Sequence, residues 1–310
     1  MRLWRRRKPE PTQERSPEFV PSELMARVRM IELRARRLVN DLFLGEYRAV
    51  FRGRGLEFDE LRPYVHGDDV RSIDWNAYAR TGEALIRRYR EDRDLTVILA
   101  VDVSASQAAG AQPQTKAELT AEVSAVLALA AIQNKDRVGL LLFASRPERY
   151  IRPASGPRHV LRVVRELLWP NPETHGTDIG AALEYLTNVQ KRRATIFLVS
   201  DFMTRGYERA LSAAARRHDI IAIRVREAVD EALPDAGLVT VRDAETGELR
   251  EIDTTSAHVR DAYARHVREL DEDRRRLFGE LRIDEIDLFV GEDYVPSLHQ
   301  FFNRRVVKVA

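Results

Sequence analysis

Five oxygen-bearing residues stand where the chain could do chemistry. Asp102, Ser104 and Ser106 occupy every second position after the apolar run LTVILAV at 95–101. Asp201 follows a second apolar run, TIFLVS, and Thr177 lies in Gly176-Thr177-Asp178, just before a helix expected from Ile179. Alternate residues of an extended chain share a side, so Asp102, Ser104 and Ser106 are expected to face one spot. Two carboxylates and three hydroxyls are all hard oxygen donors, which suit Mg²⁺ or Mn²⁺ and are compatible with Ca²⁺. The set carries little charge, and Mg²⁺ keeps several waters, so one coordination position is left for an outside ligand. An Asp or Glu carboxylate on a partner protein is the natural occupant. By itself, D-x-S-x-S after a strand also reads as a turn or a helix cap. Thr177 and Asp201 at matching elements favour the metal.

These residues need elements to carry them. Short β-rich runs at 84–89, 95–101, 138–143, 194–199 and 220–225 alternate with helical patterns at 115–133, 158–168, 179–190 and 207–217. Such alternation predicts an α/β fold, a mainly parallel sheet with helices on both faces. In an open α/β sheet the ligand site lies at the carboxyl ends of the strands, where the five residues fall. Thr115 and Glu118 form a T-x-x-E capping box that starts the helix at 115–133. Residues 149–152 are expected to pair back on the strand at 138–143. A hairpin over 238–252 with Thr246-Gly247 at its middle, a charged helix at 256–278, a strand at 287–290 and a short helix at 296–302 complete the pattern. Upstream, Leu24, Val28, Ile31, Ala35, Leu38 and Leu42 share one helical face. An irregular Gly- and Asp-rich stretch follows at 53–82. The expected organisation is a disordered basic tail at 1–20, an N-terminal helical and irregular segment at 21–94, and the α/β domain at 95–303.

Composition bounds the function. The chain has 310 residues, of which 44% are hydrophobic and 32% charged, as suits a globular protein. No apolar run reaches about 18 residues, so no transmembrane helix is expected. The start, MRLWRRRKPEP, is basic, but no apolar stretch follows it as in a secretory signal, and the expected location is the cytoplasm. Absence of cysteine rules out disulfides, thiol catalysis and cysteine-ligated zinc. A net charge of only +2 argues against nucleic acid as a partner. The chain has no G-x-x-x-x-G-K-[ST], no H-E-x-x-H and no G-x-S-x-G. We therefore expect a binding protein rather than an enzyme. The alternative is a metal-dependent phosphoester hydrolase using the same cation together with Asp68 or Asp69. It would need a general base or a second metal about 4 Å away.

Asp102-x-Ser-x-Ser, Thr177 and Asp201 together resemble the metal-ion-dependent adhesion site of von Willebrand factor A domains. The resemblance spans about 95 to 230. It implies that Asp102, Ser104 and Ser106 coordinate the metal directly or through water, and that Thr177 and Asp201 complete the shell. One departure is Phe202, where that family often has Gly; a Phe there would narrow the site or alter the geometry of Asp201. Residues 55–80, GLEFDELRPYVHGDDVRSIDWNAYAR, are similar to the signature of the bacterial domain-of-unknown-function family fifty-eight. Its members join such a segment to a von Willebrand factor A-like domain and are commonly associated with MoxR-type AAA+ ATPases. The resemblance thus implies an adaptor that works with such an ATPase and a client protein in assembly or maturation. Many relatives have membrane helices before the signature, and this chain lacks them. Within the segment, Gly67-Asp68-Asp69 is expected to turn. Asp68, Asp69 and Asp74 are expected to pair with Arg62, Arg71 and Arg80, and Trp75 and Tyr78 to anchor the loop in the core.

Overall fold

The computed structural model describes residues 33, 37–39, 44–51, 56–91, 95–108, 114–170, 172–174, 176–242 and 249–309. The described chain opens with α1 (Leu44–Phe51), β1 (Leu56–Pro63), α2 (Trp75–Thr81) and β2 (Leu85–Glu91). Next come β3 (Thr96–Asp102), α3 (Ala105–Ala108), α4 (Lys116–Gln133), β4 (Arg137–Phe143), β5 (Pro147–Ala154) and α5 (Pro157–Leu168). They are followed by α6 (Ile179–Val189), β6 (Thr195–Ser200), α7 (Glu208–Ala215), β7 (Asp219–Arg226) and α8 (Ala228–Glu231). The chain ends with the hairpin β8 (Leu238–Arg242) and β9 (Leu249–Asp253), then α9 (Ala257–Leu281), β10 (Asp284–Phe289) and α10 (Val295–Val309).

The apolar runs become a six-stranded sheet in the order β10-β7-β6-β3-β4-β5. Every pair is parallel except β4 with β5, which returns antiparallel at the edge. Side chains alternate across the strands. Val97, Leu99 and Val101 of β3 pack with α1, α4, α5 and α10 on one face. Ile98 and Ala100 pack with α6, α7 and residues of α9 on the other. Both faces are covered, which is why these strands are nearly all apolar. After β3 the chain crosses to β4 on one side and later returns to place β6 on the other. The crevice at the carboxyl ends of β3 and β6 is therefore the topological switch point, where such sheets bind ligands. Helix α4 starts on the expected capping box: Thr115 Oγ1 accepts from Glu118 N at 3.2 Å, and Glu118 Oε2 from Thr115 N at 3.1 Å. No described helix is long and apolar enough to cross a membrane.

The region before the sheet departs from expectation. The stretch at 53–82 is not irregular throughout: β1 pairs antiparallel with β2, and α2 lies between them. A register shift between Phe58 and Glu60 breaks the alternation of β1, which hides the strand in the sequence. Asp68 pairs with Arg62 through two hydrogen bonds at 2.7 and 2.6 Å, which hold its carboxyl down at about 2. The other two carboxylates cap helices. Asp69 accepts from Arg71 N at 2.9 Å, and Asp74 Oδ1 from Asn76 N at 3.0 Å and Ala77 N at 3.1 Å. Trp75 and Tyr78 do not anchor the loop in the core, for they are 60% and 46% exposed and meet edge to face at 6.0 Å. A helix of under two turns has one narrow face to bury, and here Ala77 takes it. Trp75→Ala is thus expected to change stability by less than about 1 kcal/mol in urea unfolding. A loss of about 2 kcal/mol or more would restore the anchoring role.

Toward the C-terminus the last strand begins earlier than expected and the last helix is longer. The basic tail, most of the expected helix from Ser22, His175 and the tip of the hairpin lie outside the described residues.

Candidate metal centre

Parity along the strands sets the site. Asp102 continues the Ile98–Ala100 side of β3, and Ser200 continues the Ile196–Leu198 side of β6. The strands are parallel neighbours, so Ser200 Oγ donates to Asp102 Oδ2 at 2.7 Å. Asp102 Oδ1 accepts from Ser104 N at 3.0 Å, and Ser104 and Ser106 share a hydrogen bond between their hydroxyls at 3.0 Å. Convergence here does not come from an extended chain, as the spacing suggested. The backbone turns after Asp102 and enters α3 at Ala105, which folds Ser106 back toward Ser104. Ser106 Oγ then donates to Asp201 Oδ2 at 3.4 Å, while Asp201 Oδ1 accepts from Met203 N at 3.2 Å.

Ser104, Ser106, Thr177 and Asp201 line a cavity of about 120 Å³, with Gly176, Met203 and Thr204 completing the wall. Asp102 is 1% exposed and lies behind that wall, held by Ser104 and Ser200. Four of the five candidate ligands thus meet at one cavity, and the fifth braces it.

Electrostatics reveal what the sequence missed. Burial and the charge of Asp201 push the Asp102 carboxyl up to about 6, although hydrogen bonds from Ser104 and Ser200 pull it down. Lys116, the first residue of α4, is 3% exposed, and its Nζ lies 3.1 Å from Asp201 Oδ2. The same ammonium lies 3.1 and 3.2 Å from the two oxygens of Asp230 on α8. Burial depresses its pKa, but the two carboxylates raise it further, and the net shift is upward. No signal in the sequence pointed to it, because both of its partners lie far along the chain. Gln107, one residue past Ser106, is 2% exposed, and neither amide atom has a hydrogen-bond partner among the described residues. A buried amide without a protein partner is a place for an ordered water.

The residues fit a hard cation of modest affinity. Three candidate hydroxyls and one carboxylate lining a small cavity, with a second carboxylate behind the wall, suit an ion that keeps most of its waters. Among the described residues no group of three or more His, Cys, Asp or Glu side chains could hold a metal by itself. Phe202 does not narrow the site. Its ring is 2% exposed and packs edge to face on Phe278 at 5.4 Å and tilted on Tyr207 at 6.2 Å, and it is absent from the cavity wall.

A mainly parallel sheet with helices on both faces and a polar cavity at its switch point places the protein among doubly covered α/β proteins. The chain belongs to the family described as Protein of unknown function DUF58, which matches residues 60–273. Uncharacterized proteins of Mycobacterium tuberculosis and Mycobacterium bovis are each 31% identical over 246 residues, covering 78% of this chain and 77% of the relative. A Mycobacterium avium protein is 32% identical over 129 residues, covering 41% of this chain and 76% of its own length. Among solved structures, the conserved hypothetical protein BatB from Bacteroides thetaiotaomicron aligns with a TM-score of 0.43 at 17% identity. It covers 69% of this chain and 99% of its own. An aerotolerance-related membrane protein from Bacteroides fragilis aligns with a TM-score of 0.42 at 16% identity, over 69% of this chain and 99% of its own.

Proposed function

We propose that this chain is a von Willebrand factor A-type, metal-dependent protein-binding module. Ser104, Ser106, Thr177 and Asp201 hold Mg²⁺ or Mn²⁺ in the cavity, with Ca²⁺ less well suited because it takes six to eight oxygens. Asp102 orients the Ser104 turn from behind. The bound ion supplies a coordination position that a carboxylate of the partner completes. The observation that carries the reading is the meeting of Ser106 and Asp201, 95 residues apart in sequence, at a cavity shared with Ser104 and Thr177. The partner we propose is a MoxR-type AAA+ ATPase or its client, on the strength of the family resemblance, with this chain as adaptor in assembly or maturation. The hydrolase alternative gains nothing from the site: Asp68 is engaged by Arg62 and Asp69 caps a turn.

The experiment is calorimetry with Mg²⁺ and Mn²⁺. One ion per chain is expected for the wild type. Asp102→Ala, and Ser104→Ala with Ser106→Ala, should each lose at least tenfold in affinity while keeping the fold. Affinity for a MoxR-type ATPase recovered by co-purification should fall tenfold or more in EDTA, at about 1.4 kcal/mol per decade. Equal metal binding by the wild type and Asp102→Ala would remove the site from these residues. Partner affinity that ignores EDTA would place docking elsewhere.

A further inference from the structure

We infer that Lys116 is a built-in counter-cation of this site, one that competes with a divalent ion for Asp201 and is retained on Asp230 when the ion binds. The inference rests on the metal-binding reading. Its basis is one oxygen atom. Asp201 Oδ2 takes both the Ser106 hydroxyl, at 3.4 Å, and the Lys116 ammonium, at 3.1 Å. It is therefore the oxygen facing the hydroxyl pair, and the one a cation in the cavity would use. Asp201 Oδ1 is already committed to Met203 N at 3.2 Å. An ammonium and a divalent cation on the same carboxylate oxygen repel each other strongly where water is excluded.

The lysine has somewhere to go. Asp230 offers it both oxygens, and Glu227 N donates to Asp230 Oδ2 at 2.9 Å, which fixes that carboxylate at the start of α8. The backbone of Lys116 is fixed too, because the Thr115 capping box sets the first turn of α4. Only the side chain needs to move, and only far enough to give up Asp201. Empty, the site keeps its outer carboxylate neutralised by the chain itself. Loaded, it exchanges that contact for the metal and leaves Lys116 on Asp230. The exchange weakens metal binding.

The test is a pair of variants whose predicted effects have opposite signs, measured by Mn²⁺ calorimetry on the full chain, with melting curves to establish folding. Lys116→Met with Asp230→Asn removes one charge of each sign, so net charge is unchanged and Asp201 is freed. Buried ion pairs replaced by uncharged residues of similar size are often tolerated. Its affinity for Mn²⁺ should rise tenfold or more. Asp230→Asn alone leaves the lysine with Asp201 only, and affinity should fall about tenfold. Wild-type affinity in both variants would overturn the inference while leaving the metal site standing. If the double variant does not fold, Asp230→Asn decides: affinity equal to or above wild type overturns the inference. Binding by the double variant but not by the wild type would support it in its strongest form. If Mn²⁺ binds no variant and not the wild type either, the metal reading falls and this inference with it.

Discussion

Asp271→Ala should destabilise the protein by about 3–5 kcal/mol, because it takes the shared anion from between two buried arginines. Arg224 of β7 is 1% exposed and Arg274 of α9 is 3% exposed. Both converge on Asp271: Arg224 Nη1 donates to Oδ2 at 3.1 Å, Arg224 Nη2 pairs with Oδ1, and Arg274 Nη1 donates to Oδ1 at 2.5 Å. Arg274 also donates Nε to Glu285 on β10 at 2.8 Å. The network ties α9 to the edge of the sheet. It is incompletely satisfied, since Arg224 Nε and Arg274 Nη2 have no hydrogen-bond partner among the described residues. Guanidinium groups do not give up their proton to escape, so removing the carboxylate leaves two like charges facing each other. Burial raises the Asp271 carboxyl, but the hydrogen bonds and charges of Arg274 and Arg224 outweigh it and hold it below the usual range. A depressed folded value means that its contribution is complete above the unfolded value of about 3.9 and is lost as pH falls through the folded one. Asp271→Asn should therefore flatten the acid limb of stability against pH. Asp273→Ala, in the same helix but 59% exposed, is the control and should stay within about 0.5 kcal/mol. A melting curve for Asp271→Ala within about 1 kcal/mol of wild type would show that the network does not hold α9 in place.

The sheet was readable because strands buried on both faces are continuous apolar runs, and the capping box at Thr115 because both of its partners lie within one turn. Asp102, Ser104, Ser106, Thr177 and Asp201 were readable because each stands just after a strand or just before a helix. Their geometry was less so: the Ser104–Ser106 contact depends on a turn into α3 that spacing alone read as extended chain. Lys116 could not be found, since its partners lie 85 and 114 residues away and a helix N-terminus usually exposes its lysines. The buried arginines escaped for the same reason, as neither Arg224 in a strand nor Arg274 in a helix gives any sign of a partner on another element. Trp75 and Tyr78 misled because aromatic residues are buried so often that an exposed pair on a short helix is not the first expectation.

Phe202→Ala should destabilise by about 3–5 kcal/mol, and Phe202→Gly by roughly 1 kcal/mol less, an inversion that identifies backbone strain. Phe202 sits at φ 57, in the left-handed region that a side chain with Cβ enters at a cost of about 1–2 kcal/mol. The turn needs that conformation. It lets Met203 N reach Asp201 Oδ1 at 3.2 Å and Phe202 N reach Ser200 Oγ at 3.2 Å, so both carboxyl-end residues of β6 are held by the loop they begin. Glycine would adopt it freely, but glycine has no ring to place against Phe278 and Tyr207. The Phe offsets its strain by burying an aromatic ring under the site, on the face opposite the α4 layer. Alanine keeps the strain and loses the ring, whereas glycine loses only the ring. Chemical denaturation of the three proteins gives the order directly. Glycine less stable than alanine would mean that the turn carries no strain, and that Phe202 acts through packing alone. Because both variants keep the turn that positions Asp201, neither should change metal affinity. Weaker affinity in a folded Phe202→Gly protein would show that the buried ring, and not the turn alone, sets the geometry of the site.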